Sequence, residues 1–244
     1  MTEPEDKAYP RPMQYRGPDP RYAGMHLETQ CVHAGECWEK PDFWTPTVPI
    51  YNSIVCFYDR IQDLDDMIYH KRTGYGYSRW ASPTNTALER ALSTLEGADR
   101  TLVCASGMAA IHLALLGAGA SAGTTVVSSN ALYGPAFNLI KDVLPTLGVR
   151  TIMVDFLHLD RLEDILRRER PRVVYFEVMT NPLVHVIDAP AVIEMAHRYG
   201  ARVIVDNTFT TPYLFRPLEA GADFVCESVS KYLGGHDDLL AGSV

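Results

Sequence analysis

The segment from Val173 to Asp206 reads VVYFEVMTNPLVHVIDAPAVIEMAHRYGARVIVD, and its pattern decides the fold. Two short apolar runs, Val173 to Glu177 and Arg202 to Asp206, flank a helical pattern at Ala189 to Tyr199. Strands this apolar, connected by helices, are typical of a parallel sheet that is buried on both faces. We therefore expect strand, helix and strand to form one right-handed crossover unit.

The same alternation extends in both directions along the chain. Further strand-like runs occur at Thr101 to Ala105, Thr125 to Ser128, Arg150 to Val154, Ala222 to Glu227 and Leu239 to Val244. Helical patterns occur at Met108 to Leu116, Ala136 to Leu147 and Leu159 to Arg168, and an earlier helix begins after Ser82 and ends at Gly97. The sequence thus predicts an α/β fold over residues 81–244, with a mostly parallel sheet sandwiched by helices.

The first third of the sequence has a different character. Residues 1–24 carry five prolines among charged residues, a composition that predicts a disordered, proline-rich arm. In residues 25–80 aromatic and apolar residues return, although further prolines exclude a long helix and leave room only for a short one at Ile61 to Tyr69. We expect this extended N-terminal segment to clasp a neighbouring subunit.

Composition excludes several classes of partner. The 244 residues are 47% hydrophobic with a net charge of -8, which argues against nucleic acid or an anionic membrane surface as the main partner. No apolar run reaches the roughly 18 residues that span a bilayer, and the first 24 residues lack the order of a signal peptide, so we expect a cytoplasmic protein. Cys31, His33 and Cys37 match no common zinc spacing, and we predict no metal.

A glycine-rich stretch, Gly117 to Gly123, imitates a dinucleotide-binding fingerprint. It follows a helix and precedes a strand, whereas pyrophosphate binding requires the reverse order. We interpret it as a helix-to-strand loop, which argues against an NAD-dependent enzyme.

Polar residues follow most of the predicted strands, at the sheet edge where ligands of open α/β sheets bind. They are Ser106, Gly107 and Met108, then Tyr133, Asn181 and Asp206, and finally Ser228, Ser230 and Lys231. If the strands are parallel, these residues gather at one edge. The alternative, in which they are unrelated loop residues, treats their shared position as a coincidence.

Two features of this edge fit an anionic ligand. The N–H groups of Gly107 and Met108 open a helix and suit a phosphate, while capping by Ser106 is a compatible reading. Ser228 and Ser230 could donate further hydrogen bonds to the same phosphate.

Three other residues fit a charged aromatic ring. Tyr133 precedes a glycine and has room to stack on a ring, although it could also be a core tyrosine. Asp206 ends an apolar strand, and a buried carboxylate persists as an anion only beside a cation such as a protonated ring nitrogen. Lys231, partly desolvated, suits a Schiff base with a carbonyl cofactor, the alternative being an ordinary solvated lysine. Together these groups predict a pyridoxal phosphate site.

With these residues in place, the sequence resembles the Cys/Met-metabolism (trans-sulfuration) family of fold-type I pyridoxal phosphate enzymes. The resemblance covers the chain from about Leu27 to its last residue. It rests on ordered motifs: Y-S-R at Tyr77, S-P-T at Ser82, S-G-M-A-A-I at Ser106, Y-G at Tyr133, T-N-P at Thr180, V-D-N-T-F at Val205 and S-V-S-K-Y-L-G-G-H at Ser228.

The resemblance implies a role for each site residue. Lys231 would form the Schiff base, Asp206 would pair with the pyridine nitrogen, and Tyr133 would stack on the ring. Phosphate binding would fall to Gly107, Met108, Ser228 and Ser230, and Asn181 would approach the ring oxygen and the carboxylate of an amino-acid substrate. Tyr77 and Arg79 would complete the phosphate site of a neighbouring subunit, which implies a homodimer or homotetramer with shared sites.

Two departures from the family pattern bear on the reaction. Asn138 stands where cystathionine-handling members typically carry an arginine, which favours γ-replacement on an activated homoserine or γ-elimination from a methionine-like substrate. Pro135 stands where methionine γ-lyases usually have a cysteine, which weakens the second option.

Family members continue into a C-terminal domain, whereas this sequence stops at Val244. We therefore expect a fragment or a truncated gene product. The alternative function is a catalytically silent, cofactor-binding protein or a partner of a full-length relative.

Overall fold

The computed structural model describes His26 and residues 48–244. Residues Tyr51–Val244 form one unit, and the account below is confined to it. The predicted arm at 1–24 and the group of Cys31, His33 and Cys37 lie outside the described residues, as does most of the 25–80 segment before residue 48.

Five parallel strands form the central sheet: β2 (Thr125–Ser129), β3 (Arg150–Val154), β4 (Val173–Glu177), β5 (Arg202–Asp206) and β6 (Phe224–Cys226). Their order in the sheet is β3-β2-β4-β5-β6. Every residue of the central strand β4 is buried, as expected for a strand covered on both faces. The predicted α/β fold with a mostly parallel sheet is confirmed.

Three of the described helices precede the sheet in the chain, and the others alternate with its strands. The helices are Ile61–Ile68, Pro83–Glu96, Gly107–Gly117, Gly134–Asn138 with its continuation through a π-helical turn at Leu139–Val143 to Leu144–Thr146, Leu159–Glu169, Ala189–Arg198 and the short Thr211–Leu214. The longest of these has 14 residues, and none of the described helices is long and apolar enough to cross a membrane.

The ends of helix Pro83–Glu96 follow from its sequence. The Ser82 hydroxyl accepts the N–H of Asn85 at 3.2 Å and Pro83 occupies the first helical position, where its missing N–H costs nothing. Gly97 ends the helix with a φ of 68°, a left-handed conformation that glycine adopts without steric penalty.

Strand β4 divides the core into two layers. Tyr175 packs on one side with Ile111, Leu115 and Ile140, whereas its neighbour Phe176 packs on the other side, against helices Leu159–Glu169 and Ala189–Arg198. Successive side chains of a strand point to opposite faces, so one strand supplies both layers.

The first predicted strand is placed differently from our expectation. Only Val103–Cys104 is extended (β1), and it pairs antiparallel with Gly242–Ser243 (β7) in a separate two-stranded sheet. The prediction that Thr101 to Ala105 joins the parallel sheet is therefore wrong. An apolar run predicts a strand but does not indicate which other strand it pairs with. An antiparallel bridge between Ser243 and Glu227 places this small sheet beside the end of β6.

Candidate active site

A cavity of about 180 Å³ lies beyond the carboxyl ends of β4, β5 and β6. Nine of the eleven predicted site residues line it, and Tyr77 and Arg79 are the two that do not. Because parallel strands bring their carboxyl ends to one edge of a sheet, residues distant in sequence meet here. Lys231 and Asp206 in particular line the same cavity rather than opposite faces of the sheet.

One wall of the cavity is the N-terminus of helix Gly107–Gly117. The Ser106 hydroxyl caps this helix by accepting the N–H of Ala109 at 3.2 Å. Among the described residues, the N–H groups of Gly107 and Met108 have no acceptor, so they are available to an anion. A Cβ at position 107 would lie 2.7 Å from Cβ of Ser228, so only glycine permits this close approach.

The two predicted phosphate-binding serines differ in their contacts. The backbone N–H of Ser228 donates to the hydroxyl of Thr208 at 2.8 Å, and no residue in the described part of the chain forms a hydrogen bond with the Ser228 hydroxyl. The Ser230 hydroxyl instead donates to the carbonyl oxygen of Ala241 at 3.1 Å and accepts the N–H of Ala241 at 2.9 Å. Ser230 would have to give up its bond to the carbonyl before it could donate to a phosphate.

Asp206 is the last residue of β5 and only 9% of its surface is exposed. Its Oδ1 accepts the N–H of Thr208 at 3.0 Å, and its Oδ2 accepts the hydroxyl of Tyr175 at 3.2 Å. Burial raises the pKa of Asp206, and these hydrogen bonds partly offset that rise. No described cation pairs with this carboxylate, so the cavity offers a buried anionic partner to a cationic ring nitrogen.

Lys231 lies in a turn that follows β6. It comes four residues after Glu227, where the sequence predicts the end of this strand. Its N–H donates to the carbonyl oxygen of Ser228 at 3.0 Å, which fixes the backbone beside the anion site. The expectation of a partly desolvated amine is not met, since the residue is exposed in the single chain. The residue lines the cavity, and its ammonium contacts no acid among the described residues.

Glu177 is a cavity residue that our sequence reasoning missed. It ends β4 beside Asp206, which is its register partner on β5, and it is 5% exposed. Its Oε1 accepts the N–H of Tyr133 at 2.7 Å and its Oε2 accepts the N–H of Asn181 at 2.9 Å. Burial and the charge of Asp206 raise the pKa of Glu177 to about 7. The signal that singled out Asp206, an acid ending an apolar strand, applies equally to Glu177.

Thr208, which follows the same strand end as Asp206, links Asp206 to Ser228, a role that the sequence does not indicate. The apolar lining residues Ile111, Met179, Phe209 and Leu240 were missed. Apolar lining residues carry no sequence signal that separates them from core residues. Asn138, on which the substrate argument rests, is exposed and does not line the cavity.

Tyr77 and Arg79 lie together at a different surface, beside Val55, Ile68 and Trp80. The Arg79 guanidinium carbon is 4.9 Å from the centroid of the Tyr77 ring. Within one chain these residues are therefore not part of the cavity, and their service to a neighbouring subunit stays a prediction.

The sequence of this chain matches a known protein family over most of its length. Residues 28–244 match the family described as Cys/Met metabolism PLP-dependent enzyme. The chain belongs to this family. Pyridoxal phosphate (PLP) is the cofactor of the Cys/Met metabolism enzymes, so the predicted cofactor class is confirmed.

Curated relatives in this Cys/Met metabolism family catalyse different reactions. The L-methionine gamma-lyase of Fusobacterium nucleatum subsp. polymorphum is 36% identical over 219 residues, which are 89% of this chain and 54% of that enzyme. The chloroplastic cystathionine gamma-synthase 1 of Nicotiana tabacum is 35% identical over 198 residues, or 81% of this chain and 36% of that enzyme. The chain spans about half the length, or less, of these relatives.

Solved structures of the family share the fold. A putative O-acetylhomoserine (thiol)-lyase from Campylobacter jejuni subsp. jejuni aligns with a TM-score of 0.74 at 31% identity, over 81% of this chain and 48% of that one. That enzyme carries a pyridoxyl-lysine monophosphate residue. A cystathionine gamma synthase from Xanthomonas oryzae pv. oryzae, in complex with aminoacrylate and cysteine, aligns with a TM-score of 0.73 at 34% identity, over 81% of this chain and 48% of that one.

The residues of the cavity fit PLP on physical grounds. Unbonded N–H groups at a helix N-terminus suit a phosphate, the buried carboxylate of Asp206 suits a protonated ring nitrogen, and Lys231 supplies an amine among the cavity-lining residues. No group of three or more acidic, histidine or cysteine residues able to hold a metal occurs in the described part of the chain.

Proposed function

We propose that this chain is the cofactor-binding part of a PLP-dependent trans-sulfuration enzyme that carries out γ-replacement or γ-elimination on an activated homoserine or a methionine-like substrate. The observation that carries the proposal is the meeting of Lys231, Asp206 and the N–H groups of Gly107 and Met108 in one cavity. When bound, the cofactor supplies an electron-withdrawing ring.

Each of these groups has a defined task in the proposal. The N–H groups of Gly107 and Met108, with the free hydroxyl of Ser228, hold the phosphate. The carboxylate of Asp206 accepts the N–H of the ring nitrogen and keeps that proton in place. Lys231 would hold the cofactor through Nζ, and the same amine is the base that would accept the proton of the substrate α-carbon.

The experiment that tests the cofactor site is a titration of the purified chain with PLP. We expect an absorbance band of the lysine-bound cofactor, and borohydride should make the attachment permanent. Lys231→Ala should abolish the borohydride-stable attachment, whereas Lys141→Ala, on an exposed helical turn outside the cavity, should retain it. Permanent attachment in the Lys231→Ala protein would contradict the assignment.

The reaction is tested with three substrates in parallel. We expect sulfide incorporation with O-acetylhomoserine to exceed keto-acid release from methionine, and cystathionine to react least. This order follows from Pro135 and Asn138, and faster turnover of cystathionine would contradict the proposed substrate class.

A second candidate function is cofactor binding without turnover. Lys231 is the one basic residue that lines the cavity in the described part of the chain, so a substrate α-carboxylate has no cationic partner there. A cofactor band without product from any of the three substrates would support this candidate over the enzyme.

The assembly is part of the same proposal: a homodimer or homotetramer in which Tyr77 and Arg79 serve the neighbouring site. Between residues 51 and 69 the large apolar side chains of Ile54, Phe57 and Ile61 are 64%, 88% and 75% exposed, which favours burial against a partner subunit. Mixing Arg79→Ala with Lys231→Ala chains should restore high-affinity PLP sites that neither variant forms alone. Failure of the mixture to restore them would contradict shared sites.

A cytoplasmic location completes the proposal. The described cysteines Cys56, Cys104 and Cys226 are free thiols, which favours a reducing compartment.

A further inference from the structure

Glu177 occupies a position that is costly for a carboxylate. It is 5% exposed, faces the cavity and is the register partner of Asp206 on the adjacent strand. Burial and the neighbouring charge both oppose its ionisation, and its pKa is raised to about 7. A glutamine or an apolar residue would avoid this penalty, so the carboxylate must provide something that they cannot.

What the carboxylate provides is two acceptors that face two different loops. Oε1 accepts the N–H of Tyr133 in the loop after β2, at 2.7 Å, and Oε2 accepts the N–H of Asn181 in the loop after β4, at 2.9 Å. A glutamine has one acceptor and one donor at these positions, so it would satisfy one N–H and oppose the other. Two acceptors on one short side chain fix the separation of the two loops.

Both residues held in this way line the cavity, and their side chains need fixed positions. Tyr133 is 45% exposed, so core packing alone does not fix its position. Asn181 follows Thr180 in the loop after β4. Thr180 is fully buried, and its hydroxyl accepts the N–H of His185 at 3.0 Å. Glu177 thus links a half-exposed cavity residue, Tyr133, to a loop that is anchored in the protein.

We propose that Glu177 is a positioning residue of the cofactor site, which holds Tyr133 and Asn181 in register over the ring through their backbone N–H groups. This inference rests on the proposed function, because it assigns Tyr133 and Asn181 to the cofactor. Glu177 itself donates nothing to the reaction and acts through the two residues it holds.

The test is a mutant cycle on the full chain, read out as the apparent Kd for PLP. Glu177→Gln should raise this Kd about ten-fold, the effect of losing one hydrogen bond to a charged group. In a double variant with Tyr133→Ala and Asn181→Ala, the same substitution should change the Kd less than about three-fold, because the two side chains that Glu177 positions are absent. Glu163→Gln, which alters a surface glutamate that accepts the Tyr199 hydroxyl, is the matched control and should leave the Kd unchanged.

A spectroscopic readout separates positioning from general destabilisation. At saturating PLP, Glu177→Gln should lose part of the visible circular dichroism of the bound cofactor, since the signal depends on a fixed ring environment, while the unfolding temperature of the cofactor-free chain stays near that of Glu163→Gln. If Glu177→Gln does not unfold cooperatively, Glu177→Asp replaces it in the cycle, since its shorter side chain cannot reach both N–H groups.

The outcomes distinguish this inference from the proposed function. An equal fold-change in both backgrounds, or no change in either, overturns the positioning role while the Lys231-dependent attachment of PLP stands. A wild-type chain that forms no Lys231-dependent attachment overturns the proposed function and the inference with it.

Discussion

The hydroxyl of Tyr175, buried in the middle of β4, donates to Oδ2 of Asp206 at 3.2 Å. This bond helps to keep Asp206 ionised against the rise in its pKa caused by burial. Tyr175→Phe removes the bond while preserving the shape of the side chain. We expect the Kd for PLP to rise about ten-fold, since hydrogen bonds to charged groups contribute about 1.5–3 kcal/mol.

The control for this prediction is Tyr199→Phe. Tyr199 donates to Glu163 at 3.0 Å at a site that does not line the cavity, so the same chemical change should leave the Kd unaltered. Equal Kd values for the two variants, measured by titration, would show that Tyr175 has no part in cofactor binding.

Replacing Gly107 with alanine should damage both the fold and the anion site. The added Cβ would lie 2.7 Å from Cβ of Ser228, which forces the helix N-terminus away from Ser228. We expect a loss of about 1–3 kcal/mol in the free energy of unfolding, typical of overpacking, and an increase of more than ten-fold in the Kd for PLP.

Gly134→Ala is its natural comparison, because Gly134 also begins a helix but an added Cβ there meets nothing within 4 Å. Urea unfolding and PLP titration of both variants check the prediction. A Gly107→Ala chain that binds PLP as tightly as Gly134→Ala would contradict the close-approach argument.

The stability of the protein should fall as the pH rises above neutrality, because of Glu227. This residue is 2% exposed, and burial together with the carboxyl of Glu96 raises its pKa to about 10. The folded state then holds a proton that the unfolded state releases near pH 4.5, so the stabilisation is complete below that pH and is lost as the pH approaches 10. The slope for one such group is about -1.4 kcal/mol per pH unit.

Glu227→Gln should flatten this slope, whereas Glu194→Gln, an exposed helical position, should not. Thermal or urea unfolding between pH 7.5 and 9 is the appropriate measurement, because the analogous contribution of Glu177, whose pKa is about 7, is largely lost below that range. Parallel slopes for wild type and Glu227→Gln would exclude a protonated Glu227.

The cap of the helix Pro83–Glu96 gives a prediction on stability alone. Ser82→Ala removes the acceptor for the N–H of Asn85 and should cost about 1 kcal/mol in the free energy of unfolding. Ser82→Asn, which keeps a side-chain oxygen at the cap, should remain within about 0.5 kcal/mol of wild type. Denaturant unfolding compares the three proteins, and equal losses for the two variants would show that capping is not what Ser82 contributes.

The extent to which the sequence predicts the fold depends on burial. Strands β3, β4 and β5 have the bounds expected from the sequence, because a strand buried on both faces is a continuous apolar run with polar ends. Val103–Cys104 shows the limit, since its partner Gly242–Ser243 is a glycine and a serine at the far end of the chain. Two such short segments pair because of the surrounding tertiary structure, which no local pattern encodes.

In the candidate site, too, some residues have a local sequence signal and others depend on tertiary structure. Asp206 and the residues that open helix Gly107–Gly117 have local signals, and they line the cavity as expected. The use of the Ser230 hydroxyl by Ala241 could not be predicted, because it depends on how residues near 241 fold back onto the turn after β6. Glu177 carries the same local signal as Asp206, an acid at the end of an apolar strand, but its hydrogen bond to the N–H of Tyr133 comes from a loop distant in sequence.

The contact of Gly242 with the start of helix Gly107–Gly117 bears on the order in which the sheet and the anion site form during translation. A Cβ at position 242 would lie 2.2 Å from the carbonyl oxygen of Ser106, so this strand packs directly behind the residues that begin the anion site. The parallel sheet can assemble as soon as β6 has emerged from the exit tunnel. The wall behind Ser106 and Gly107 is complete only after residue 242 has been translated, so we expect the anion site to form after the parallel sheet.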